Sequence, residues 1–219
     1  MFRTSSATSI GDLYALIRDK RAVTRAELGA LTGLSRTAVS SRVRELTARS
    51  LVLEQEEAAS TGGRPATVLA FNANVGVVLT IAVGASRTRL AVCDLAGGVR
   101  AAADIAQEPR LRPEDLLPEE VKPLEQLPPD TGASHNQNAG VGLSLPGTVD
   151  PQRGCSIDSP VLSGWDGAPL IPYFRPLTDA PVGLDNDANV IALAEWRAGA
   201  VAVDDLLVIK ASTGLGAGI

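Results

Sequence analysis

A glycine-centred break between two helical patterns is the feature that most constrains how the N-terminal part of this chain can fold. The first pattern carries Ala26, Leu28 and Leu31, and it stops at Gly33, whose conformational freedom suits a tight turn. Ser35 follows at the position of a helix cap. The second pattern has apolar residues spaced four and three positions apart, at Val39, Val43 and Leu46. This arrangement predicts a helix-turn-helix.

The second predicted helix carries hydroxyl and guanidinium groups away from its apolar stripe. These side chains are Ser35, Arg36, Thr37, Ser40 and Arg44. No carboxylate occurs among them before Glu45. Such groups hydrogen-bond to base edges and phosphates in the major groove, so we predict that these five residues contact double-stranded DNA. The alternative is an ordinary basic helix whose arginines are only solvated.

Two short strand patterns follow this helix and are joined by a polar connection. Leu51–Leu53 form the first pattern and Thr67–Phe71 the second, and the connection ends in Thr61–Pro65, where Arg64 follows two glycines. A two-stranded ribbon after a helix-turn-helix is a wing, whose glycines let the backbone approach phosphate and whose arginine can enter the minor groove. We therefore expect a winged helix-turn-helix domain over residues 1–71, with Arg64 as a further DNA contact.

Charge is distributed unevenly along the chain. The formal net charge is −5, of which residues 1–70 contribute +3 and residues 71–219 contribute −8. A basic end joined to an acidic body fits a protein that contacts nucleic acid at one end only.

Cysteine, histidine and hydropathy patterns argue against several other classes of protein. Cys93 and Cys155 lie far apart without a Cys-x-x-Cys motif, and the single histidine, His135, lies in a polar stretch, so we predict no metal site. The longest apolar run, around Val75–Ala85, is too short to span a bilayer, and the N-terminus has no apolar signal region. We expect a cytoplasmic protein that does not contact a membrane.

Beyond a junction at residues 72–74, the pattern becomes that of an α/β domain, expected over residues 75–219. Three strand patterns separated by tight turns predict an antiparallel meander, followed by a fourth strand at residues 139–145 that is parallel to the first. Further strands are predicted at 182–184 and 205–210, with a helix opening at 185–189. The segment 108–138 is rich in proline and acid, and we expect a surface connection there with only short helical pieces.

Several motifs in this order resemble those of the ROK family, which comprises repressors and sugar kinases with an actin-like ATPase fold. The winged helix-turn-helix and meander are followed by a strand ending in Pro146-Gly147, by Asn186-Asp187-Ala188-Asn189, and by Thr-Gly-x-Gly-x-Gly at 213–218. The resemblance extends from about Ile10 to Ile219. It implies an α/β protein in which the winged helix-turn-helix precedes the first lobe of an actin-like ATPase (ribonuclease H-like) fold.

The resemblance implies a sugar site at Gly147, Asn186 and Asp187. In the family's kinases the asparagine holds sugar hydroxyls, and the aspartate is the base that takes the proton from the attacking hydroxyl. Asp187 would be a vestigial base here, and we assign no catalytic residue. Judged from the residues alone, Asn186 or Asp187 could equally cap a helix that begins at Ala188, and the two roles are compatible.

The resemblance also implies a phosphate loop at Thr213, Gly214 and Gly216, where backbone N–H groups would face a nucleotide phosphate. The residues themselves allow two alternatives, a dinucleotide-binding turn and a purely structural glycine turn. The first is disfavoured because no helix and no acidic residue follow the motif.

Two departures from the family's kinases favour a regulator over an enzyme. The kinases have Asp-x-Gly-Gly-Thr-Lys at the end of the first meander strand, where the aspartate helps to hold Mg²⁺, and this chain has Ala82 at that position. Losing the metal anchor removes a principal contribution to phosphoryl transfer. The family's second lobe, with its zinc site, has no counterpart in the sequence, so we expect a C-terminally truncated chain with a partly exposed surface.

The sequence therefore predicts a DNA-binding regulator of carbohydrate metabolism, most simply a repressor, that has no cofactor and is not an enzyme. Its expected partners are a double-stranded DNA operator, a small sugar or sugar-phosphate effector, and further copies of itself in a homodimer or larger assembly. Two alternatives remain open. One is a ROK-type sugar kinase that phosphorylates a hexose with ATP and carries a DNA-binding domain, and the other is a module whose helix-turn-helix binds another protein.

Overall fold

The computed structural model describes residues 9–56, 67–107, 112–125, 138–157, 159, 162–199, 205–212 and 214–219. The chain forms two compact units, Met1–Val75 and Gly76–Ile219. Each unit has a hydrophobic core of its own.

The described residues of the N-terminal unit form three helices, α1 (Ile10–Arg18), α2 (Arg25–Thr32) and α3 (Arg36–Ala48). Ser9 caps α1 and Thr24 caps α2, and in both an acidic side chain three residues later completes a capping box. Gly33 follows α2 in the left-handed conformation, with φ of 70°, which explains why a glycine interrupts the helical pattern there.

A two-stranded antiparallel sheet completes this unit, formed by β1 (Val52–Glu56) and β2 (Thr67–Phe71). All three helices and both strands contribute apolar side chains to one core. Its buried members are Leu13, Leu16, Ile17, Ala22, Leu28, Val39, Val43, Leu46, Val52 and Leu69. The apolar stripe of α3 is therefore buried as the sequence predicts, and the polar side of α3 is left at the surface.

The C-terminal unit is built on a five-stranded sheet. Its strands are β3 (Val77–Val83), β4 (Arg87–Asp94), β5 (Val99–Ala106), β6 (Asn138–Leu145) and β9 (Val182–Asn186). The spatial order is β5-β4-β3-β6-β9, in which β3, β4 and β5 form the predicted antiparallel meander. The predicted parallel pairing of the fourth strand with the first is confirmed, and β9 adds in parallel to β6.

The proline- and acid-rich segment contains a longer helix than the sequence predicts, α4 (Pro113–Glu125), with Pro118 and Pro123 inside it. Each internal proline costs a helix about 3 kcal/mol because it removes a hydrogen bond and crowds the preceding turn. Four apolar side chains on α4 are buried in the core, at about 1.5–3 kcal/mol each, and offset that cost. They are Leu116, Leu117, Val121 and Leu124. The expectation of short helical pieces is therefore wrong over residues 113–125, while residues 126–137 lie outside the described part.

Smaller elements complete the C-terminal unit. β7 (Thr148–Asp150) and β8 (Cys155–Ile157) form an antiparallel pair, and a 3₁₀ turn covers Ile171–Phe174. α5 (Asp187–Ala198) follows β9, and β10 (Val208–Ala211) pairs with β11 (Leu215–Gly218) in an antiparallel hairpin. Within the described ranges, no helix has the length and apolar character needed to cross a membrane.

Candidate functional site

The N-terminal unit presents the predicted DNA-contacting residues on α3, outside its buried stripe. Ser35 is the N-cap of this helix, and its Oγ accepts a hydrogen bond from Ala38 N at 3.2 Å. Arg36, Thr37 and Arg44 are exposed and Ser40 is half-buried. The structure thus brings these five predicted residues together on one element, and Ser35 has a structural role as well.

The first turn of α3 has no carboxylate. α1 and α2 each have an acidic residue in their first turn, Asp12 and Glu27. Hydrogen bonding from the Val23 backbone, and then from Thr24, lowers the pKa of Glu27. Because a helix N-terminus carries partial positive charge, and no first-turn carboxylate offsets it in α3, the start of α3 is better suited than those of α1 and α2 to face a phosphate.

Ion pairing divides the arginines of this unit into two groups. Arg25 and Arg49 each pair with a glutamate at 2.6 Å. Among the described residues, no acidic side chain pairs with Arg36 or Arg44. These two guanidinium groups therefore keep their donors available for an external partner. Arg64, the predicted contact from the wing, lies outside the described residues.

A cleft of about 380 Å³ in the C-terminal unit brings together the predicted sugar-binding and phosphate-loop residues. Its walls come from the turn after β3, the end of β6, the start of α5 and the β10–β11 hairpin. The predicted residues that line it are Gly147, Asn186, Asp187, Gly214 and Gly216. Thr213 lies outside the described residues.

Asn186 connects two walls of this cleft. Its Oδ1 accepts hydrogen bonds from Ala188 N at 2.8 Å and Asn189 N at 3.3 Å, and its Nδ2 donates to Gly147 O at 2.6 Å. Gly147 has φ of 89°, and a Cβ there would lie 2.7 Å from Ser159 Oγ, so this position requires glycine. The capping role considered for Asn186 is therefore present, and one Nδ2–H remains for a ligand.

Asp187, the first residue of α5, forms an ion pair with Lys210 through its Oδ2 atom. Lys210 lies on β10 directly opposite Gly216 of β11 and lines the same cleft. Sequence reasoning missed Lys210 because 22 intervening residues, including a helix, separate it from Asp187 and give no sign of the contact. The available signal was a single lysine within the otherwise apolar strand β10.

Gly216 and Gly218, at the glycine-rich end of the chain, belong to strand β11. Gly216 was predicted to lie in a phosphate loop, so that prediction is wrong for this residue. A Cβ at Gly218 would lie 2.3 Å from Ala188 O, and one at Gly216 would lie 3.2 Å from Ala188 Cβ. These glycines are needed for β11 to approach α5, which supports the structural interpretation at both positions. Gly214 remains in the turn, where a Cβ would meet nothing within 4 Å.

The turn after β3 contributes no carboxylate to the cleft. Ala82 is exposed near the end of β3, and Gly84 N donates to Arg87 O at 2.9 Å to close the turn. Gln107 Nε2 donates to Gly84 O at 2.7 Å, and Thr88 Oγ1 donates to Gln107 Oε1 at 2.6 Å. Across the described parts of the chain, no three His, Cys, Asp or Glu side chains group together as a metal site would require.

Glu120 is a buried carboxyl group on α4, only 1% exposed. Desolvation raises its pKa to about 7, and the nearby Thr88 hydroxyl acts in the opposite direction. Neither carboxylate oxygen makes a hydrogen bond of good geometry to any described residue.

The C-terminal unit matches one protein family. Residues 78–219 match the model described as the ROK family, which is well over half of the chain. The chain belongs to the ROK family. The resemblance inferred from the motifs is thereby confirmed, and so is an α/β fold with kinase-type structural neighbours.

The relatives of this ROK chain include repressors and kinases. The xylose repressor of Caldicellulosiruptor bescii is 29% identical over 212 residues, which cover 93% of this chain and 51% of that protein. The crystal structure of a ROK family transcriptional regulator, a homologue of the E. coli MLC protein, aligns with a TM-score of 0.76 at 26% identity and covers 97% of this chain and 54% of that chain.

A ROK family glucokinase from Streptomyces griseus, solved with glucose and AMPPNP, aligns with a TM-score of 0.54 at 26% identity over 65% of this chain and 43% of that chain. The present chain spans about half the length of the curated repressors that it matches.

Proposed function

We propose that this ROK protein is a DNA-binding transcriptional repressor whose C-terminal unit senses a sugar. The N-terminal unit acts as a winged helix-turn-helix, with α3 in the major groove and Arg64 contributing from the wing. The observation that carries the proposal is the exposed face of α3, where Arg36 and Arg44 have no acidic partner among the described residues. Similarity to a transcriptional regulator over 97% of this chain supports it.

Sensing, and not phosphorylation, is the proposed role of the cleft. Asp187 pairs with Lys210 through Oδ2 and can accept a sugar hydroxyl through Oδ1, which serves binding without any proton transfer. Ala82 offers no ligand for Mg²⁺ at the position where the family's kinases have aspartate. Gly147 and Asn186 supply the remaining cleft wall for a small sugar or sugar phosphate.

The proposal includes the partners and location expected of such a regulator. One helix-turn-helix contacts few base pairs, so a homodimer or larger assembly would bind paired half-sites roughly 34 Å apart. Because three of the matched relatives are named xylose repressors, xylose is the first effector to test. A cytoplasmic location is also proposed, because a transcriptional repressor must reach its DNA operator.

DNA binding is tested with fragments that the protein selects from genomic DNA, measured by fluorescence anisotropy at several fixed salt concentrations. Arg36→Ala and Arg44→Ala are each expected to weaken binding at least about fivefold, because a base or phosphate contact contributes about 1–3 kcal/mol. Arg49→Ala is the matched control, since Arg49 follows the same helix but is paired with Glu45. Wild-type affinity in both test variants would show that α3 is not the DNA-binding element.

A sugar kinase with an attached DNA-binding domain is the second candidate. The cleft position of Asn186 and Asp187 and the structural likeness to a glucokinase favour it. A coupled assay with ATP, Mg²⁺ and a panel of hexoses is expected to show no turnover. Turnover that Asp187→Asn abolishes would establish the kinase and remove the case for a sensor without catalysis.

A further inference from the structure

The Asp187–Lys210 ion pair presents both of its charges to the same cleft. The Asp187 side chain is 14% exposed and the Lys210 side chain 31%. Within the described residues, Asp187 uses only Oδ2 as an acceptor and Oδ1 has no hydrogen-bond donor. A lysine ammonium has three N–H donors, so the pair has an acceptor and donors left for a ligand.

Both side chains are positioned by secondary structure. Asp187 lies in the first turn of α5, where the partial positive charge of the helix end favours a carboxylate. Lys210 lies opposite Gly216 in the hairpin register, and both residues line the cleft together with Asp187. A donor and an acceptor held side by side on two separate elements form a preorganised site for a ligand that offers both.

We propose that Asp187 and Lys210 together bind two neighbouring oxygens of a neutral polyhydroxyl ligand, with Oδ1 of Asp187 accepting from one hydroxyl and Nζ of Lys210 donating to the next oxygen. The inference rests on the proposed sugar-sensing function and adds Lys210 as the residue that determines ligand class. An uncharged ligand satisfies both partners. A phosphate or carboxylate group that approached Lys210 would also meet repulsion from Asp187 at short range.

The test measures ligand affinity by NMR titration of the full chain. The probes are D-xylose and D-glucose, with glucose 6-phosphate and glucuronate as charged counterparts. Lys210→Met is expected to weaken binding of the neutral sugar at least tenfold, and Lys210→Arg is expected to retain part of the affinity. Lys122→Met is the matched control, because Lys122 is an exposed lysine on α4 that does not line the cleft, and it is expected to bind like wild type.

Two further measurements separate a ligand contact from a structural role. Single-deoxy derivatives of the bound sugar identify the oxygen that Lys210 contacts. For the derivative that lacks this oxygen, the affinities of wild type and Lys210→Met are expected to agree within twofold. Asp187→Asn is expected to lose affinity for the neutral sugar and to improve the relative affinity for glucose 6-phosphate at least threefold. Far-UV circular dichroism and thermal unfolding confirm that each variant is folded.

The possible results distinguish this inference from the function on which it rests. If wild type binds a neutral sugar and folded Lys210→Met binds it equally well, the role of Lys210 is overturned and sugar sensing stands. Preference of wild type for glucose 6-phosphate over glucose has the same consequence. If wild type binds neither xylose nor glucose in millimolar titrations, sugar sensing at this cleft is itself contradicted, and the inference is overturned with it.

Discussion

Glu120 makes the stability of the C-terminal unit depend on pH. Its side chain is 1% exposed, and burial raises its pKa from 4.5 to about 7. The folded chain therefore holds a proton that the unfolded chain releases between these two pH values, so the free energy of unfolding decreases as pH rises through this window. A difference of about 2.5 pKa units corresponds to about 3 kcal/mol at 1.36 kcal/mol per unit.

Replacing the carboxyl group by an uncharged amide removes this dependence. We expect Glu120→Gln to be about as stable as wild type at pH 5 and more stable by up to about 3 kcal/mol at pH 8, where wild type buries an ionised carboxylate. Urea unfolding followed by tryptophan fluorescence measures the effect, since both tryptophans, Trp165 and Trp196, belong to the C-terminal unit.

Glu119→Gln is the matched control for this experiment. Glu119 adjoins Glu120 on the same helix, but its side chain is 68% exposed and pairs with Lys122 at 2.6 Å. An exposed pair contributes little to stability, so this variant is expected to keep the wild-type pH profile. A wild-type free energy of unfolding that is flat from pH 5 to pH 8, or a slope that persists in Glu120→Gln, would refute the reasoning.

Two further predictions test local geometry. Ser35→Ala removes the cap of α3 and is expected to lower the free energy of unfolding of the N-terminal unit by about 1 kcal/mol. Urea titration followed by circular dichroism measures this change. An unchanged free energy of unfolding would show that the cap does not stabilise the unit. Gly218→Ala places a Cβ 2.3 Å from Ala188 O and is expected to destabilise the C-terminal unit by about 1–3 kcal/mol in thermal unfolding. Gly214→Ala is the control in this assay, because a Cβ at Gly214 would meet no atom within 4 Å. Equal melting temperatures for the two glycine variants would contradict the packing argument.

Local signals in the sequence located most of the secondary structure. Ser35 begins α3 as the predicted cap residue and Gly33 ends α2 as predicted, because capping depends on hydrogen bonds within a few residues. The meander was equally predictable from three strand patterns separated by tight turns. The same local rules failed for α4, where Pro118 and Pro123 predict a broken helix and burial in the core outweighs their cost.

In the candidate cleft, too, several residues could be predicted from the sequence but their contacts could not. Asn186, Asp187 and Gly147 were selected by a family resemblance, but nothing in their spacing showed that Asn186 donates to Gly147 O across 39 positions. The pairing of Asp187 with Lys210 and the burial of Glu120 could not be predicted from the sequence either, because both depend on which elements pack together.

The sequence by itself determined the helix-turn-helix pattern, the meander, the basic N-terminal part and the family motifs, since these arise from residues close together in the chain. Only the tertiary structure decided which charges are paired, which carboxyl group is desolvated and which glycines are needed for close packing. Those properties depend on distances between segments far apart in sequence, and a pattern of residue types carries no direct measure of such distances.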